Sequence, residues 1–140
     1  RTNDGQQAAA EAGVIEAVSD GMRAHPQVAL VQQYGCRALC NVCCGGGDAA
    51  GLARSQRAAE AGTIETVVDA MQAHPQEADV QEWGCKALVH VCYGNNAEAL
   101  AHKRRASRAG GRTATAAAMQ AHPRHSELQQ FGQWLLEMFI

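Results

Sequence analysis

Three thiols open the chemical reading. Cys36, Cys40 and Cys43 stand in a Cys-x-x-x-Cys-x-x-Cys spacing, which on an enzyme loop holds an iron–sulfur cluster. Three histidines each precede a proline, as His25-Pro26, His74-Pro75 and His122-Pro123, and imidazole is a common metal ligand. One basic run, from His102 through Lys103, Arg104 and Arg105 to Arg108, is followed by Arg112. Such a run suits phosphate, anionic lipid or an acidic protein surface. Gly45-Gly46-Gly47 has no Lys-Ser/Thr after it and follows a helical stretch, so it reads as a flexible turn and not a phosphate loop. No nucleophile elbow or paired-carboxylate arrangement stands out.

The elements that must position these residues change their meaning. Val80 to Cys92 reads as an amphipathic helix, and it is echoed at Val31–Cys43 and Leu128–Ile140. Three landmarks keep the same 49- and 48-residue spacing: Gly13, Gly62 and Gly110; the His-Pro pairs; and Tyr34-Gly35, Trp83-Gly84 and Phe131-Gly132. A fixed period of this kind marks a repeat protein. Each unit reads as a short first helix stopped at an Ala-Gly (Gly13, Gly62), a second helix ended by the proline, and a long third helix. The second helices carry Val14, Ile15, Val18 and Met22, then Ile64, Val67, Val68 and Met71, at helical spacing. In the third copy Arg112 and Thr115 replace Ile64 and Val67, so that helix is expected to be weaker and more solvent-facing. The units span approximately 4–47, 50–96 and 98–140.

In this frame Cys36 aligns with Cys85, Cys43 with Cys92, and Cys40 with Val89. Positions filled by Cys, Cys or Val are packing slots for small buried residues, so no metal and no cofactor are expected. Six cysteines without a bridging pattern suit a reducing intracellular compartment, the cytoplasm or an organelle interior after removal of a transit peptide. The histidines, one per unit at a helix C-terminus, are expected to interact with the terminal carbonyls.

Gly35-Cys36-Arg37-Ala38-Leu39-Cys40-Asn41-Val42 resembles the third helix of the armadillo repeat family, and the resemblance covers the whole chain as three tandem repeats. It implies an all-α, right-handed superhelical solenoid of about three helices per repeat, with the third helices lining a concave groove that binds partners. The family's recurring Trp falls at Arg37, Lys86 and Trp134, and its Asn at Asn41, His90 and Met138. Only Asn41 and Trp134 match, so the array that reads basic nuclear signals is not expected.

One face of the third helices is a candidate recognition stripe: Tyr34, Arg37 and Asn41; Trp83, Lys86 and His90; Phe131, Trp134 and Met138. Aromatic and basic residues together suit a protein partner of acidic or extended character. A non-catalytic protein-binding or scaffold module is the expected function. A structural peripheral subunit of a multi-protein complex is the alternative. Nucleic-acid binding through Lys103, Arg104, Arg105, Arg108 and Arg112 ranks below both, because the chain carries a formal net charge of −2 and no second basic stripe. Charge is polarised, −5 over residues 61–100 and +4 over residues 101–140. Trp134, Leu135, Leu136, Met138, Phe139 and Ile140 form an apolar end. Burying such side chains is worth ~1.5–3 kcal/mol each, so that end is expected to be covered, by further repeats or by a partner.

Overall fold

A computed structural model describes residues 2–44 and 48–139, with side chains from residue 10 onward. The expected turn at Gly45-Gly46-Gly47, and Ile140, lie outside the described residues. Those residues form eight helices and no strand: α1 (Thr2–Ala24), α2 (Ala29–Cys43), α3 (Ala49–Glu60), α4 (Thr63–Ala73), α5 (Ala78–Cys92), α6 (Ala97–Arg108), α7 (Gly111–Ala121) and α8 (Ser126–Met138). Helices α2, α5 and α8 are the three repeated third helices. They lie side by side, with α5 packed against α2 on one flank and α8 on the other. Asp48 and Asn96 cap α3 and α6, accepting from the backbone N–H of Gly51 at 2.7 Å and of Ala99 at 2.8 Å.

Each unit closes on itself in the same two ways. A proline forces the second helix to stop, which leaves its last carbonyls without intrahelical partners. A glutamine of the third helix satisfies them. Gln32 Nε2 donates to the carbonyls of Met22 and His25, Gln81 to those of Met71 and His74, and Gln129 to those of Met119 and His122, at 2.8–3.1 Å. Above this clasp a methionine of the second helix lies flat on the glycine of the third. A Cβ on Gly35 would meet Met22 Sδ at 2.5 Å, one on Gly84 would meet Met71 Cγ at 2.7 Å, and one on Gly132 would meet Met119 Sδ at 2.6 Å. Gly84→Ala is therefore expected to destabilise by about 1–3 kcal/mol through overpacking. In urea denaturation, Gly84→Ala with Met71→Ala should lose clearly less than the two single losses added together.

The buried side of the repeated helix is as its spacing predicts, with Gly84, Cys85, Leu88 and Cys92 all buried. Three expectations are corrected. The stop predicted at Gly13 does not occur, and α1 runs through it without a break. At Gly62 the backbone turns left-handed (φ 77°), and the Ala61 carbonyl released by the turn accepts from Arg23 of the preceding unit at 3.1 Å. At Gly13 the helix continues, so the corresponding carbonyl keeps an intrahelical partner instead. Second, Thr115 does not face solvent. It is fully buried and its hydroxyl donates to the Gly111 carbonyl at 2.7 Å, while Arg112 is exposed as expected. Third, Leu135 belongs to the core and not to the apolar end; Leu136, Met138 and Phe139 are half-buried, and Trp134 is the exposed member.

Candidate functional site

The third helices bring most of the predicted stripe together. Arg37 of α2 lies over the Trp83 ring of α5, 5.3 Å from its centroid. Lys86, one turn along α5, sits 4.4 Å from the same ring and 5.2 Å from Phe131 of α8. Phe131 meets Trp134 edge to face at 5.0 Å. Cation, ring, cation, ring, ring thus alternate across three helices, each cation placed on the negative face of a π-system. The ladder follows from the 48–49-residue period. Neighbouring third helices in register set position i of one beside the position three residues earlier on the next.

Lys86 is also held by carboxylates. Its ammonium binds Glu82 at 2.7 Å, one turn back, and Glu127 of α8 at 2.8 Å. Burial alone would lower its pKa, but the hydrogen bonds to Glu127 and Glu82 more than offset that and hold it above the usual lysine value. Glu82 is itself buried and also meets His125 Nε2 at 3.1 Å. His90 is held below the usual histidine value, first by burial and then by Lys86, so it presents a neutral imidazole at pH 7.

Beside the ladder lies a cleft of about 570 Å³ between α5 and α8, lined by Val89, His90, Tyr93, Phe131, Trp134, Glu137 and Met138. Four of these are stripe residues. Sequence reasoning missed Tyr93, which sits one residue past the end of α5 and is half exposed, outside any helical-face count. Tyr34 and Asn41 do not join the ladder. Tyr34 lines a separate apolar depression of about 420 Å³ with Val18, Met22 and Leu30. Asn41 is exposed, and its carbonyl accepts from the Cys44 thiol at 3.1 Å.

The other candidates resolve into structure. Cys36, Cys40 and Cys43 are buried in α2, and burial pushes the thiols of Cys36 and Cys43 up to about 12, which disfavours the thiolate a metal needs. Among the described residues the three-donor group within metal-binding reach is Asp79, Glu82 and His125, where the Glu82 carboxylate is already shared by Lys86 and His125. The predicted contact of the histidine rings with their own helix ends is corrected. His74 donates to the Pro26 carbonyl at 2.8 Å and His122 to that of Pro75 at 3.0 Å, so each ring ties its unit to the one before. The basic run is divided. His102 is buried on the Val91 carbonyl, Lys103 donates to the Gly94 carbonyl, and Arg105 makes a two-point pair with Glu65 at 2.6 and 2.9 Å. Arg104, Arg108 and Arg112 remain exposed. No helix among the described residues is long and apolar enough to cross a membrane.

No family model, no curated protein and no solved structure matches this chain.

Proposed function

We propose that the chain is an armadillo-like stack of three repeats, wound as a right-handed solenoid, that binds a protein partner along its third helices without catalysing a reaction. The observation that carries this reading is the apolar cleft between α5 and α8, which holds His90, Phe131, Trp134 and Met138 of the predicted stripe and stands next to the cation–ring ladder. Concave apolar pockets rimmed by aromatic residues are where partners place their anchors. The partner segment is extended, with an apolar anchor in the cleft and an acidic residue directed to Arg37. That guanidinium is exposed and has no carboxylate partner among the described residues.

A displayed library of short random peptides tests the reading. Selection on the chain is expected to enrich peptides with one large apolar residue and a nearby acidic one. Tyr93→Ala should weaken their binding about tenfold or more, the usual loss at an aromatic anchor site, while leaving the melting temperature within a few degrees because Tyr93 is half exposed. Enrichment of peptides that bind Tyr93→Ala equally well would move the site elsewhere, and no enrichment would count against peptide capture.

A further inference from the structure

The register of the internal junctions between units continues onto two exposed faces, that of α8 and that of α1–α2, with different chemistry. At the first junction Arg37 covers Trp83, and at the second Lys86 covers Phe131 and pairs with Glu127. One repeat further on, the position of Arg37 and Lys86 is occupied by Trp134, which lies on α8 and is 43% exposed. One repeat earlier, the position of Trp83 and Phe131 is occupied by Tyr34, 57% exposed, and that of Asp79 and Glu127 by Leu30, 60% exposed. Where the first junction sets a cation against a ring and the second sets one against a ring and a carboxylate, the exposed α8 face offers an indole. The exposed α1–α2 face offers a phenol and a leucine.

We propose that the chain associates head to tail with a second copy of itself, the α8 face of one molecule stacking on the α1–α2 face of the next. Trp134 then meets Tyr34 and Leu30 at the places where Lys86 meets Phe131 and Glu127. A third pair agrees. His74 and His122 each reach the proline carbonyl of the preceding unit. The His25 ring and the Pro123 carbonyl are the corresponding donor and acceptor. Neither has a hydrogen bond among the described residues.

A foreign partner for one face would place no demand on the other. Matched replacement on both faces, at the same register positions, is what a single junction shared by two copies requires. The stacking geometry is already realised inside the chain between α2 and α5 and between α5 and α8. The apolar character suits an interface core, where charged residues are depleted. Because the two faces differ, the contact is heterologous and each added molecule exposes a fresh copy of the same face. The junction shares Trp134 with the cleft but not Tyr93, so Tyr93→Ala tests peptide capture and Leu30→Asp tests association, each without touching the other site.

Sedimentation velocity of the whole chain across a wide concentration range tests it, and the average mass is expected to rise beyond one copy as concentration rises. Leu30→Asp alone and Trp134→Asp alone should each sediment as a monomer that keeps the helical circular dichroism spectrum, with the melt unchanged for the exposed Leu30 and lowered for Trp134, which loses its ring contact with Phe131. An equimolar mixture of the two should form a one-to-one pair that grows no further, because each molecule then keeps one intact face and the remaining faces set Asp against Asp. A wild-type chain that stays monomeric overturns the proposal. So does a mixture that stays monomeric. Loss of association in only one of the two variants also overturns it, since that outcome belongs to a like-with-like interface.

Discussion

Above pH 9.0 the chain is expected to unfold cooperatively within about one to two pH units, driven by its buried thiols. Burial is the largest cause for each. Cys36, Cys43, Cys85 and Cys92 are pushed up to about 12, and Cys40 to about 11, from the usual 9.0. In the folded chain these thiols stay protonated where an unfolded chain would ionise them, so the native state holds more protons and stability falls as pH rises. The contribution is complete below 9.0 and is lost as pH climbs toward the folded values. Each thiol gives a slope of about 1.4 kcal/mol per pH unit, and five together about 7. Against a net stability of about 5–15 kcal/mol, that slope places the midpoint near pH 10 to 11. Far-UV circular dichroism against pH, with recovery on return to pH 7 under reducing conditions, checks it. Replacing Cys85 and Cys92 by alanine should lower the slope by about two fifths; an unchanged slope would show that other groups drive the transition. Lys86 adds to the loss only later, since its pKa lies above the usual 10.5.

Lys86→Ala is the substitution expected to cost most among the stripe residues, about 2–4 kcal/mol. With side-chain exposures of 12% for Lys86 and 11% for Glu82, the pair lies between two limits. Exposed pairs contribute up to about 1 kcal/mol, and breaking a buried pair costs about 3–5 kcal/mol because a charge is left without its partner. Removing the ammonium leaves Glu82 with His125 alone and takes the cation from two rings. Thermal unfolding should fall by roughly 10 °C. A second readout separates charge from packing. The His90 titration followed by NMR should move upward, because Lys86 is one of the two causes holding it down. Lys86→Met, which keeps the stem over Trp83 and Phe131, should give the same His90 movement with a smaller loss of stability. A stability within about 0.5 kcal/mol of wild type for both variants would show that the Glu82–Lys86–Glu127 group does not hold α5 to α8.

These two cases show what can be read from the chain alone and what cannot. The helical class was legible, and Met22, Gln32 and Gly35, which meet one another between α1 and α2, have counterparts at the same spacing further along. A contact made at fixed sequence separation leaves a periodic trace. The stop at Gly13 was misread because the same Glu-Ala-Gly string stands inside α1 at Gly13 and at a left-handed turn at Gly62. Lys86 has its place on the stripe in the sequence, but its partner Glu127 is 41 residues away on another helix. His74 and His122 kept their place in the pattern, but their acceptors lie 48 and 47 residues back. The face of α8 that carries Trp134 was legible from the helical repeat. That Leu135 turns inward, and that Tyr93 completes the cleft wall from beyond a helix end, needed the packing itself.

The position of α5 has a kinetic consequence. It packs against α2, α3, α4, α6, α7 and α8, so forming it early lets every later helix dock onto a finished neighbour. Contacts between adjacent units reward each such step at once, and the loop that must close is short compared with the whole chain. Folding then spreads outward from the middle unit toward both ends. Opening proceeds the other way, with α1 and α8 free to loosen independently before the chain unfolds as a whole.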